Sequence, residues 1–154
     1  MANFEEAVKI TLTWEGGYVN DPNDPGGETK FGISKRNHPG VDIEGLTPEG
    51  AKYIYKTEYW PTLYDKITSQ LLGSKLFDMG VNMGVGAAVR ILQFTLGTTV
   101  DGMFGVGTLA AANNAGDAAL EPYKTHLARH YQDIVARNPS QQKYIHGWLR
   151  RVNS

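Results

Sequence analysis

The sequence predicts a mainly helical α+β fold with one small β element near its front. Three observations carry that prediction. Apolar residues recur at helical spacing through most of the chain. Residues 20–34 cannot be helical, because Pro22 and Pro25 push Asp21 and Asp24 toward extended angles and Gly26-Gly27 invites a turn. No linker, repeat or low-complexity tract divides the chain, so its 154 residues read as one domain. Residues 1–70 would form a lobe with the β element, and residues 71–154 a helical lobe.

The first helix is expected from about Phe4 to Glu15, with Asn3 as N-cap and Glu5 and Glu6 in its first turn. Phe4, Ala7, Val8, Ile10, Leu12 and Trp14 share one apolar arc, and Glu15 falls within it, near Phe4 and Val8. A carboxyl group there is expected to be partly desolvated, which raises its pKa and favours the form that carries a proton. Gly16-Gly17 would end the helix in the left-handed conformation. Thr29 to Ser34 alternates as a short strand of a small hairpin.

After a loop containing Pro39, Gly40 and Gly45, Thr47-Pro48-Glu49 opens a second helix that stops at Trp60-Pro61. From about Ser69 onward only helices are expected. Leu72, Leu76, Met79 and Met83 make one periodic face, Gly84 and Gly86 interrupt it, and Ala87 to Leu96 resumes until Gly97. Val100-Asp101-Gly102 is a turn. Thr108 is placed as the cap of a short alanine-rich helix, and Asp117 as the cap of a longer one facing inward through Tyr123, Leu127 and Tyr131. Asn138-Pro139 starts the last helix, which carries Tyr144, Trp148 and Val152.

An apolar fraction of 41% and a charged fraction of 20% are those of a soluble globular protein. A net charge of −1 speaks against a general nucleic-acid binder. The charge is uneven: residues 1–70 hold 11 acids and 7 bases, residues 71–154 hold 5 acids and 8 bases. The basic end could face an anionic polymer, or simply be a solvated helix face. There is no cysteine, hence no disulfide or cysteine-held zinc. The start, M-A-N-F-E-E-A-V-K, encodes no signal peptide. No apolar run reaches the roughly 18 residues of a membrane span. Synthesis in the cytoplasm, without stable membrane insertion and with outside help for export, is the expectation.

The stretch from Trp14 to Ser34 gathers four carboxylates: Glu15, Asp21, Asp24 and Glu28. Glycosidic cleavage needs a protonated acid at the leaving oxygen and a second carboxylate in a different environment. Glu15 beneath apolar neighbours, with Asp21 and Asp24 in a solvated loop, supplies that asymmetry. The plainer alternatives are a carboxylate at a frayed helix end and Asp-Pro pairs that only shape a turn. Tyr18, Tyr59, Trp60 and Tyr64 could stack on sugar rings, Tyr18 and Trp60 being carried forward as substrate contacts; core packing is the competing role of Tyr59 and Trp60. Asn82 is assigned either to an N-acetyl group or to helix packing.

His126 and His130 have a zinc-compatible i, i+4 spacing, but no third ligand accompanies them, so a metal site is rejected. No serine sits in a nucleophile elbow and no glycine run has the spacing of a phosphate loop. No cofactor is implied.

The string E-G-G-Y-V-N-D-P-N-D-P-G-G-E-T-K-F-G-I resembles the signature of glycoside hydrolase family 108, lysozyme-like N-acetylmuramidases. By that resemblance Glu15 matches the family's catalytic glutamate. The order Glu15, Asp24, Thr29, Gly32-Ile33 is also similar to that of phage-type lysozymes, with Thr29 one residue early. The analogy implies that Asp24 positions a water and Thr29 bonds it, with Asp21 as the rival second carboxylate. Residues 76–84, L-F-D-M-G-V-N-M-G, resemble the family's central helix. Residues 101–108 are similar to the D-G-x-F-G-x-x-T pattern of a peptidoglycan-binding region, with Val106 where proline is usual.

The resemblance implies a lysozyme-like fold and cleavage of the β-1,4 bond between N-acetylmuramic acid and N-acetylglucosamine in bacterial peptidoglycan. It suggests a phage endolysin, bacteriolytic, or a secretion-associated muramidase, monomeric and released to the periplasmic wall by a partner such as a holin. The alternatives are a lytic transglycosylase using Glu15 alone and a non-catalytic peptidoglycan-binding module.

Overall fold

The computed structural model describes residues 1–22 and 27–154. The order of elements is α1 (Phe4–Trp14), β1 (Val19–Asn20), β2 (Glu28–Lys30), β3 (Ile33–Ser34), α2 (Pro48–Glu58), α3 (Gln70–Met83), α4 (Val85–Leu96), α5 (Val106–Ala115), α6 (Leu120–Arg137) and α7 (Ile145–Asn153). Short 3-10 turns cover Thr62–Lys66, Gly116–Ala119 and Pro139–Tyr144. The fold is mainly helical α+β, as the sequence predicts.

Helix α1 starts where expected: the Asn3 side chain accepts from the Glu6 amide at 3.2 Å. Its end differs from expectation. Glu15 is the C-cap, at φ −84° and ψ 128°, so the chain turns extended there. Gly16 and Gly17 are not left-handed. Thr47 caps α2 as predicted, accepting from Gly50 N at 3.1 Å. Gly97 ends α4 in the left-handed conformation, at φ 71°.

Two predicted caps are corrected. Helix α5 begins at Val106, so Thr108 lies inside it, buried, with its hydroxyl near the Gln93 amide. Asp117 sits in a 3-10 turn ahead of α6 and bonds the Ser69 hydroxyl. Each polar group has a tertiary partner, and that satisfies it better than a helix end would. The last helix is also later than expected: Pro139 opens a 3-10 turn and α7 starts at Ile145.

The sheet is a three-stranded antiparallel meander, β1-β2-β3. Val19 pairs with Thr29, and Lys30 with Ile33, which leaves Phe31-Gly32 as a two-residue turn. Both turn residues have positive φ, 52° and 76°, as a type I′ hairpin requires. The predicted single strand over Thr29–Ser34 is therefore two strands folded about this turn.

Helices α1 and α3 run parallel with a constant offset of 67 residues. The Asn3 amide donates to Gln70 Oε1 at 2.7 Å, and the Thr11 hydroxyl to Asp78 Oδ1 at 2.7 Å. That register places Glu15 level with Asn82. Between them and α2 lies an aromatic cluster in which Phe77, fully buried, meets Phe4, Tyr55 and Trp60 edge to face at 5.5–6.0 Å. One hydrophobic cluster runs from Ala2 to Val152 and draws on every helix.

Phe77→Ala removes the ring shared by three others and should cost about 3–5 kcal/mol. Urea unfolding followed by circular dichroism measures it.

Candidate active site

Glu15 ends α1 with its side chain 15% exposed, facing Arg151 from the last helix. The Arg151 Nη1 lies 2.8 Å from Glu15 Oε1. The other edge of the same guanidinium forks onto Asp78 of α3, Nε to Oδ2 at 3.0 Å and Nη2 to Oδ1 at 2.9 Å. Asp78 also takes the Thr11 hydroxyl at 2.7 Å. Burial works against the Arg151 charge, but the bonds to Asp78 and the nearby Glu15 carboxylate outweigh it and push its pKa up. Lys75 Nζ donates to the Arg151 carbonyl at 2.8 Å, and burial lowers this lysine to about 8.

The apolar environment expected for Glu15 is thus corrected. Because the chain turns extended at Glu15, its side chain leaves the arc of Phe4 and Val8 and meets a cation. Tyr55 of α2 lies close enough to feel the Glu15 charge. That phenol is fully buried, its hydroxyl has no hydrogen-bond partner among the described residues, and burial followed by the Glu15 charge raises its pKa.

On the other side of Glu15 stands the hairpin turn. Phe31 N donates to Gly16 O at 3.0 Å, which fastens the turn to the residue after Glu15. A Cβ on Gly32 would lie 2.6 Å from the Glu15 carboxyl carbon and from Oε2. Gly32 also has φ 76°. Glycine is required there twice over, for the backbone angle and for the close approach of the carboxylate.

The other expected site residues fall as follows. Asp24 lies outside the described residues. Asp21 is exposed in the loop that leaves β1. Thr29 occupies the middle strand, paired with Val19 and Ser34. The exposed Tyr18 donates its hydroxyl to Glu28 Oε2 at 3.1 Å. Local desolvation of the phenol, followed by the Glu28 carboxylate, raises its pKa. Asn82 donates its amide to the Tyr131 hydroxyl, tying α3 to α6. Trp60 is corrected: it is 3% exposed, packed by Phe4, Tyr64 and Phe77, and its indole N–H is taken by Asp65 at 2.8 Å. It offers no face to a sugar ring.

Sequence reasoning did not single out Arg151, and it gave Asp78 and Gly32 no role beyond membership of a motif. Asp78 did leave a signal, a carboxylate inside the apolar run of α3. Arg151 left none, being 136 residues from Glu15 and one of several bases on α7.

Residues 8–84 match the model of the family Glycosyl hydrolase 108. Residues 87–153 match that of a Predicted Peptidoglycan domain. Among solved structures, SagA of Brucella abortus is similar at 26% identity and a TM-score of 0.80, covering 97% of this chain and 89% of its own. No curated protein matches.

Arg151→Met leaves Asp78 buried and unpaired and should destabilise the protein by about 3–5 kcal/mol, whereas the double change with Asp78→Leu should recover much of that. Denaturant titration of the three proteins tests it. Lys75 gives a pH signature. The folded chain releases its proton near 8 while the unfolded chain holds it to the ordinary 10.5, so the unfolded state binds more protons in between. The parent should therefore gain stability relative to Lys75→Met as pH rises from about 7 toward about 10, read from paired thermal melts.

Proposed function

The chain belongs to the glycosyl hydrolase 108 family and is a peptidoglycan hydrolase, a muramidase, and we propose that Glu15 is the general acid of the reaction. The observation that carries this is the position of its carboxyl group, wedged between Arg151 and the Gly32 turn at the junction of sheet and helices.

Arg151 occupies Oε1, so Oε2 is the oxygen that would carry the transferable proton. Asp78 accepts two hydrogen bonds from Arg151, and the arginine's remaining edge holds Glu15 in place. After proton transfer to the leaving oxygen, Arg151 is beside the carboxylate that forms.

The second carboxylate is Asp24 or Asp21 in this reading, with Thr29 on β2. Either would face the oxocarbenium-like carbon or activate water. Tyr18 at the edge of β1 and Asn82, level with Glu15 on α3, would contact sugar from the two sides. The bond cleaved is the β-1,4 link from N-acetylmuramic acid to N-acetylglucosamine. We treat the segments 1–70 and 71–154 as lobes of one domain, a reading that the continuous core supports.

An endolysin or secretion-associated muramidase is the biological setting proposed. The wall lies outside the cytoplasmic membrane, and no described helix is long and apolar enough to cross one. A monomer made in the cytoplasm would then reach the periplasmic wall through a partner such as a holin. Lysis of cells that express the chain only when a holin is co-expressed would test that setting.

Glu15→Gln should reduce fragment release from purified peptidoglycan by about 10²–10⁴-fold, the usual worth of a general acid, with an unchanged circular dichroism spectrum. Fragment masses should show reducing muramic-acid ends. Anhydro ends would turn the assignment to a lytic transglycosylase, and binding without release to a non-catalytic module.

A further inference from the structure

The turn over residues 101–105, D-G-M-F-G, has a structural task away from Glu15. The buried Gln93 clamps it. Its amide nitrogen lies 2.8–3.0 Å from Asp101 Oδ1, Met103 O and Thr108 Oγ1, and its Oε1 accepts from the amides of Asp101 and Gly102 at 3.0 and 2.9 Å. The clamp sets Gly102 at φ 77°, and a Cβ there would lie 3.0 Å from the Arg90 Cζ. A Cβ on Gly86 would lie 3.4 Å from Arg90 Nη1. Two glycines thus let the Arg90 guanidinium lie across backbone in one place.

Arg90 forms one wall of a groove of about 240 Å³ between α4 and α6. Arg129 of α6 and Phe94 of α4, the latter 64% exposed, also line it. The His126 ring meets Phe94 edge to face at 5.0 Å and is fixed from behind by the Thr95 hydroxyl at 2.8 Å. Neither arginine forms a salt bridge among the described residues. Asp101 feels the Arg90 charge, but its carboxylate is engaged by Gln93 and the Met103 amide. Asp133 is the acid in the groove's lining, with Arg137 as well as Arg129 nearby on the same helix. Burial, followed by Arg137, lowers His130, and the fixed positive charges in the lining are those of Arg90 and Arg129.

We propose that this groove binds the acidic stem peptide of peptidoglycan. The Arg90 guanidinium, held over two glycines, and Arg129 beside an exposed ring suit a short chain that bears carboxylates and methyl groups, whereas the peptide-linked sugars of the intact glycan carry no charge. Every lining residue falls within the segment matched by the Predicted Peptidoglycan domain model. None belongs to the cluster around Glu15. The proposal rests on the peptidoglycan reading above, and gives the enzyme a hold on the peptide while the glycan lies at Glu15.

The test uses the full chain carrying Glu15→Gln, so that wall is bound without being cut. Its binding to intact sacculi is measured alone and in the presence of excess soluble stem peptide. The free peptide should weaken binding about tenfold, and adding Arg90→Gln with Arg129→Gln should abolish that difference. Phe94→Ala should reduce it; all three side chains are exposed, and circular dichroism checks the fold. The proposal is overturned if the soluble peptide has no effect on the parent, or if the tenfold difference survives in the double variant. Should the chain with intact Glu15 release no fragments while the peptide-dependent difference persists, the muramidase assignment fails and the peptide site stands.

Discussion

Arg151 is the joint on which the site depends. Its guanidinium is shared between Asp78, buried in the central helix, and Glu15, at the open end of the first helix. A lone buried carboxylate at Asp78 would be costly, and a lone buried arginine equally so. Each makes the other tolerable, and the arginine's remaining edge is what reaches Glu15. The same pair draws the last helix onto the first and third. One guanidinium thus links chain closure to the placement of the acid.

The β element completes this arrangement from the opposite side. Its strands are only two or three residues long and could not stand alone. What holds the hairpin in register is its I′ turn, and what holds the turn is the Phe31 amide on the Gly16 carbonyl. Phe31 adopts φ 52°, a conformation that costs a non-glycine residue about 1–2 kcal/mol. That strain buys a tip narrow enough, at Gly32, to lie flat against a carboxylate. Glu15 therefore has a charged partner on its helical side and bare backbone on its sheet side. The carboxyl group has little room to turn away from the junction.

Much of the fold was legible because its signals are local. Asn3, Thr47 and Gly97 act at helix ends through their own backbone neighbours, and each does what its residue type predicts. The apolar face of α3 emerges as the centre of the core. Where prediction failed, a tertiary partner had outbid a local role. Thr108 and Asp117 have the chemistry of caps but found Gln93 and Ser69 instead. Trp60 has the surface of a sugar platform but closes the aromatic cluster. Glu15 lies at the end of α1 as expected, whereas the apolar pocket inferred from helical periodicity ends one residue too early.

The sequence by itself determined the helices, the irregular stretch between the first two, the family and hence the peptidoglycan chemistry, and the identity of the candidate acid. These follow from periodicity, from turn residues and from one contiguous motif, all of which act over a few residues. Only the tertiary structure decided what surrounds that acid. Asp78 and Arg151 are 73 residues apart and meet because α1, α3 and α7 pack on one core. Gly32 touches the carboxyl group because a two-residue turn folds the sheet back onto the helix end. Side-chain charge is written in the sequence, but the distance between charges is set by packing, as the Arg151 contact with Glu15 shows.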